Sequence, residues 1–102
     1  MIPLLEQHRT GLDALCRRYG VRRLEVFGSA AEAEADREAR DVDLLVEFGP
    51  AADMGPADQY FGLLAELEKL LGRDVDLVCS TAMRNPYFIR EVNRSRSLLY
   101  AA

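Results

Sequence analysis

Two aspartates inside an apolar strand constrain this chain more than any other feature. The segment Asp41-Val42-Asp43-Leu44-Leu45-Val46-Glu47-Phe48 is too apolar for an exposed strand, and Gly49-Pro50 stops it. Side chains alternate faces along a strand, so Asp41 and Asp43 are expected on one face while Val42 and Leu44 enter a core. Asp is depleted in strands, and adjacent carboxylates repel. The arrangement therefore costs free energy unless a cation sits between them. Hard oxygen ligands at this density suit magnesium better than zinc.

A second signal precedes the first. Val21 to Phe27 alternates loosely, with Leu24 and Val26 on one face and Arg23 and Glu25 on the other, and Gly28-Ser29 breaks it. Eleven residues separate Ser29 from Asp41. Ala30 to Ala35 are helix formers that Ser29 can cap, and Asp36 to Arg40 turn polar. Gly28 lets a backbone approach a phosphate closely, and the N–H groups opening the next helix favour negative charge. A third carboxylate lies in Val75-Asp76-Leu77-Val78, part of a strand predicted over Val75 to Cys79. If that strand neighbours the Asp-rich one, Asp76 completes a triad with Asp41 and Asp43. Three carboxylates around two magnesium ions suit nucleotidyl transfer.

Helical spacing predicts one helix from Ile2 to Tyr19, closed by Gly20. A second runs from Ala57 to Leu71 with Phe61, Leu64, Leu67, Leu70 and Leu71 on one side, closed by Gly72. Ser80 or Thr81 can cap the next helical segment. Pro86 opens a helix through Arg96, with Phe88, Ile89 and Val92 inward, and Leu98 to Tyr100 form an edge strand. This order predicts an α/β (α+β) fold, a small mixed sheet with helices packed against it.

At 102 residues and 49% hydrophobic, residues 1–102 are expected to form one domain. A net charge of -4 argues against a nucleic-acid-binding domain, so direct nucleic-acid binding is not expected. Cys16 and Cys79 lack metal or disulfide spacing and are expected in the core. No membrane-length apolar run is present, which predicts a cytoplasmic protein without membrane contact. His8 is read as a surface residue; Arg84, Arg90, Arg94 and Arg96 are read as a solvated helix face in preference to a stripe toward ATP or a partner. Tyr60-Phe61 and Tyr87-Phe88 are read as core and interface aromatics.

Phe27-Gly28-Ser29, the Asp41 to Phe48 segment and Val75-Asp76-Leu77-Val78 resemble the minimal nucleotidyltransferase (MNT) family, small domains like the palm of DNA polymerase beta. Asn85-Pro86-Tyr87-Phe88 and Leu98-Leu99-Tyr100 are also similar, so the resemblance covers nearly the whole chain. Such domains are commonly antitoxins paired with HEPN ribonuclease toxins, and some transfer AMP from ATP to a toxin tyrosine. The resemblance implies that Gly28 and Ser29 hold the triphosphate and that Asp41 and Asp43 bind two Mg2+ ions. It implies that Asp76 binds the catalytic ion and helps activate the acceptor hydroxyl, and it leaves Asp74 without a role. It further implies a hetero-oligomer with a HEPN partner encoded nearby. The family often carries Arg-Gly shortly after Gly-Ser, where this chain has Glu32-Ala33. Two readings follow, an adenylyltransferase acting on the HEPN toxin and a non-catalytic antitoxin that neutralises it by binding.

Overall fold

The computed structural model of the protein describes residues 1–51 and 53–102; residue 52, in the loop expected between Pro50 and Pro56, lies outside them. In chain order the elements are α1 (Pro3–Gln7), α2 (Arg9–Arg18), β1 (Val21–Phe27), α3 (Ser29–Glu32), β2 (Val42–Phe48), α4 (Pro56–Leu71), β3 (Val75–Cys79), α5 (Pro86–Ser95) and β4 (Ser97–Ala101). Single 3-10 turns cover Asp36–Glu38 and Ser80–Ala82. The mixed sheet has the order β3-β2-β1-β4. β1 runs antiparallel to β2 and to β4, whereas β2 and β3 are parallel, joined through α4 as a parallel pair requires.

Alternation along the strands sorts the two faces of this sheet. Leu24, Val26, Val42, Leu44, Val46, Val75 and Leu77 point to one side and pack with Ile2, Leu5, Leu12, Cys16, Leu63, Leu67 and Leu71 from α1, α2 and α4. This is the main core. The opposite face carries a smaller cluster, in which Phe27, Leu45 and Val92 are buried and Val78 and Met83 pack beside them. Val92 comes from α5, so this one helix covers the second face.

Several polar contacts tie helices to strand ends. Buried Gln59 on α4 donates from Nε2 to the carbonyls of Tyr19 at 2.8 Å and Gly49 at 2.9 Å. Tyr60 donates its hydroxyl to the Leu77 carbonyl at 2.6 Å. The segment between α3 and β2 is also pinned: Asp36 Oδ1 accepts from the Leu4 amide at 2.8 Å, and Arg73 donates to the carbonyls of Asp36 and Ala39. Where the segment enters β2 is thereby set by residues far from it in sequence.

The structure corrects several expectations. The N-terminal helix is two helices broken at His8, whose backbone leaves the helical region at φ -107, ψ 18. The half-buried His8 ring takes the carbonyl of Leu4 with Nδ1 at 2.9 Å, an acceptor that a continuous helix would give to the His8 amide. Ser29 is the first residue of α3 and Gly28 its cap; α3 stops after four residues, short of Ala35. Neither Ser80 nor Thr81 caps α5; Asn85 does, its Oδ1 accepting from the Tyr87 amide at 2.9 Å. Phe61, expected inward, is 65% exposed, because Gln59, Leu63, Leu67 and Leu71 form the buried stripe of α4. Tyr87 is exposed likewise. Cys16 is buried and unpaired, and burial pushes its thiol up to about 12. Cys79 is only half-buried. Among the described residues, no helix is long and apolar enough to cross a membrane.

Arg96 is no solvated surface charge either. Glu25, on the β1 face opposite the main core, is only 4% exposed. It accepts from Arg96 Nε at 2.9 Å and Nη2 at 2.6 Å, and from Arg23 Nε at 3.0 Å. This two-pronged pair fastens the end of α5 to β1. The Arg96 hydrogen bond, outweighing burial, and then Arg23 hold the Glu25 carboxyl below its ordinary 4.5. A lowered folded-state value contributes stability that is present above pH 4.5 and lost as pH falls through the folded value. Arg96→Met strands the buried carboxylate and is expected to lower the unfolding free energy by about 2 kcal/mol at pH 7, since Arg23 and solvent screening soften the loss. Urea denaturation checks this, and the gap from wild type should narrow below pH 4.5 as Glu25 takes up a proton.

Candidate active site

β2 and β3 run parallel with Asp43 directly opposite Asp76. Paired residues on neighbouring strands present their side chains to the same face, so the two carboxylates stand side by side. That face is the one lined by Leu45 and Val78, away from the main core. Phe27 pairs with Asp43 from the other side, which brings the Phe27-Gly28 corner against the carboxylate. The three signals found along the sequence thus meet at the ends of three adjacent strands.

Gly28 is required there twice over. Its backbone sits at φ 69, ψ -149, a region open essentially to glycine alone. A Cβ at this position would stand 2.7 Å from Asp43 Oδ2. The Gly28 amide donates to Ser95 Oγ at 2.8 Å, which ties the corner to the last residue of α5. The Gly28 carbonyl accepts from the amides of Ala31 and Glu32, closing the first turn of α3. Helix geometry leaves the Ser29 and Ala30 amides with no acceptor inside that helix.

Asp41 differs from its expected position. β2 begins at Val42, so Asp41 lies just ahead of the strand and is exposed, and strand alternation does not aim it. It is nonetheless near enough to act on its neighbour. Burial first, then the charges of Asp76 and Asp41, push the Asp43 carboxyl above its ordinary 3.8. Among the described residues, no three His, Cys, Asp or Glu side chains close into one metal-ligand group. The structure therefore brings Asp43 and Asp76 together and leaves Asp41 beside the pair. Asp74 is exposed, and its carbonyl accepts the Val42 amide at 3.0 Å, a bond that helps fix the β2–β3 register.

The donor set fits a divalent cation. Two register-paired carboxylates, one of them half-buried and raised by that burial, then by Asp76 and Asp41, supply hard oxygens and a local excess of negative charge. An open hollow of about 770 Å³ adjoins Asp41, with Arg37, Arg40 and Arg73 among its walls. Arg37 and Arg40 are exposed, and Asp36, Glu68 and Asp74 line the same hollow, so its charges are mixed. Sequence reasoning missed Ser95 and these arginines. Ser95 has no motif to mark it, being 67 positions from Gly28.

Comparison with known proteins bears on the family and the fold. Residues 8–99 match the family described as "Nucleotidyltransferase domain". A candidate protein adenylyltransferase of Methanocaldococcus jannaschii, MJ1379, is 35% identical over 89 residues, covering 87% of this chain and 84% of that protein. A solved structure described as a minimal nucleotidyltransferase superposes with a TM-score of 0.70 at 34% identity, covering 91% of this chain and 90% of that one. The MNT antitoxin fold recurs in a complex with the tri-AMPylated HEPN toxin of Shewanella oneidensis, with a TM-score of 0.64 at 21% identity, covering 96% of this chain and 73% of the other.

Two substitutions test the site. A carboxyl raised by folding makes the folded chain lose stability as pH climbs past 3.8, and a bound cation offsets that loss. Asp43→Asn should raise the thermal midpoint of the metal-free protein at pH 7 and abolish the further rise produced by MgCl2 in the wild type. A magnesium-dependent rise that survives Asp43→Asn would place the ion elsewhere. Gly28→Ala should cost about 1–3 kcal/mol in denaturant unfolding, from its backbone conformation and its collision with Asp43.

Proposed function

The chain belongs to the nucleotidyltransferase domain family, and on that premise we propose that it is a protein adenylyltransferase of the minimal kind. It moves AMP from ATP to a tyrosine hydroxyl on a HEPN-type ribonuclease toxin, in the cytoplasm, as the antitoxin of the pair. The observation that carries the reading is the register pair Asp43–Asp76 set against the Gly28 corner, where a triphosphate and two hard cations can meet. The description of an AMPylated HEPN toxin bound to an MNT antitoxin supports the choice of acceptor. The name of the M. jannaschii relative supports the choice of reaction.

Each residue has a definable part. Gly28 and Ser29 hold the triphosphate, since the glycine admits close backbone approach and the first amides of α3 offer donors. Asp43 and Asp76 would hold the magnesium ions, with Asp41, just ahead of β2, as their third carboxylate. When bound, magnesium screens the charge of the triphosphate and favours in-line displacement at the α-phosphorus. In the reaction a bond forms between the acceptor oxygen and the α-phosphorus, the bond to the bridging oxygen breaks, and pyrophosphate leaves. Asp76, exposed at the open edge of the sheet, is placed to take the acceptor's proton. Asp43, tucked under Gly28, positions rather than accepts.

A second reading, neutralisation by binding alone, is favoured by Glu32, an exposed acid on the short helix where the family often has arginine. One experiment separates the two. The purified HEPN-type partner is incubated with this protein, MgCl2 and ATP labelled at the α-phosphate. The wild type should label the partner, and Asp43→Asn and Asp76→Asn should each reduce labelling at least about a thousandfold, the scale expected for loss of electrostatic stabilisation in the transition state. Neutralisation of the ribonuclease by unlabelled mixtures, unchanged in both variants, together with no labelling by the wild type, would establish the binding-only reading instead.

A further inference from the structure

Helix α5 is held to the site on its inner side and left bare on its outer side. Inward, Val92 seals the cluster with Phe27 and Leu45, Phe88 meets Phe27 edge to face at 5.8 Å, and Ser95 grips the Gly28 amide. Outward, Tyr87, Arg90 and Arg94 fall at helical spacing on one stripe, with Arg84 just before the helix. Tyr87 is 74% exposed and Phe88 36%, an unusual display of aromatic surface on so short a helix. The Arg90 guanidinium lies 5.9 Å from the centre of the Tyr87 ring. From Arg84 to Arg96 there are four arginines and one acid, Glu91, in a chain whose net charge is -4. Of these, only Arg96 is committed to the buried Glu25, while Arg94 meets the exposed Glu91 at 2.9 Å.

The position of this stripe matters as much as its composition. Leu45 and Val78, beneath α5, are one step along the same face from Asp43 and Asp76, about 7 Å at the rise of a strand. A molecule lying on the outside of α5 is thus beside the carboxylates, not across the domain from them.

We propose that the outer face of α5, formed by Tyr87, Arg90 and Arg94 with Arg84 just before the helix, docks an acidic surface of the acceptor protein and so delivers its hydroxyl to the Asp43–Asp76 edge. This inference rests on the protein-acceptor reading above. Aromatic and arginine side chains at the centre and acidic groups opposite are the composition that anchors protein interfaces. The complementary charge also steers encounter and makes it salt-dependent. Because α5 grips Gly28 through Ser95, docking bears on the corner that holds the triphosphate.

The test measures affinity without nucleotide, by calorimetry of this protein with the purified HEPN-type partner at 0.05 M and 0.5 M NaCl. The triple variant Arg84→Glu/Arg90→Glu/Arg94→Glu should weaken binding at least about a hundredfold and Tyr87→Ala about tenfold. The wild-type affinity should fall with salt, and that of the triple variant should not. The rise in thermal midpoint given by MgCl2 and ATP should be the same in the triple variant as in the wild type. An affinity within twofold of wild type in the triple variant, or no binding of the wild type to the partner, overturns the proposal. Loss of the ATP-dependent rise in the triple variant overturns it by assigning the arginines to the nucleotide. Binding of a single-stranded RNA oligonucleotide that the triple variant loses also overturns it, in favour of a nucleic-acid surface. Partner binding that depends on the stripe, without any transfer of label, would sink the transferase reading and with it the delivery of a hydroxyl, and leave the docking surface standing.

Discussion

Parallel pairing of β2 with β3 is the constraint on which the rest of the structure depends. It places two acids opposite one another, Asp43 and Asp76, where pairing of opposite or apolar side chains would be the stable choice. Burial and like charge then raise the Asp43 carboxyl, a strain that the fold tolerates because the other side of both strands is wholly committed to the main core. Val42, Leu44 and Val46 face that core, opposite Val75, Leu77 and Cys79 in register, so a slip by one residue would expose all of them. The apolar face therefore enforces the carboxylate face.

Around this pair the protein is built asymmetrically. Four helices, α1 to α4, contribute to the core side, while α5 covers the other face. α5 is fastened at its end by the Arg96–Glu25 pair and the Ser95–Gly28 bond, both of which reach back to β1. A thin cover leaves the strand ends open to large ligands and leaves the outer helix face free.

Much of the local structure was legible in the residues. The extents predicted for β1 and β3 are those observed, since in each apolar residues interleaved with charged ones are stopped by a glycine or polar boundary. Gly72 closes α4 in the left-handed conformation, as its place after Leu71 implies. Failures came where local pattern met a distant partner. Phe61 satisfies helical spacing yet points outward, because the sheet contacts the stripe through Leu63 and Leu67 instead. The His8 break depends on a ring competing for the Leu4 carbonyl, and Arg96 looked like surface charge until β1 brought Glu25 beneath it.

The sequence by itself determined the family and the pattern that marks it: a glycine corner, two aspartates at the head of an apolar strand and a third aspartate in a later one. It determined this because alternation and backbone freedom are local properties, set by side-chain type and spacing. Only the tertiary structure decided that β3 lies beside β2 and that Asp76, not Asp74, faces Asp43. It alone put Asp41 ahead of the strand and joined Ser95 to Gly28. Those facts are non-local. They follow from which strand edges find each other once the apolar faces are buried, a choice made by the whole core and written in no single segment.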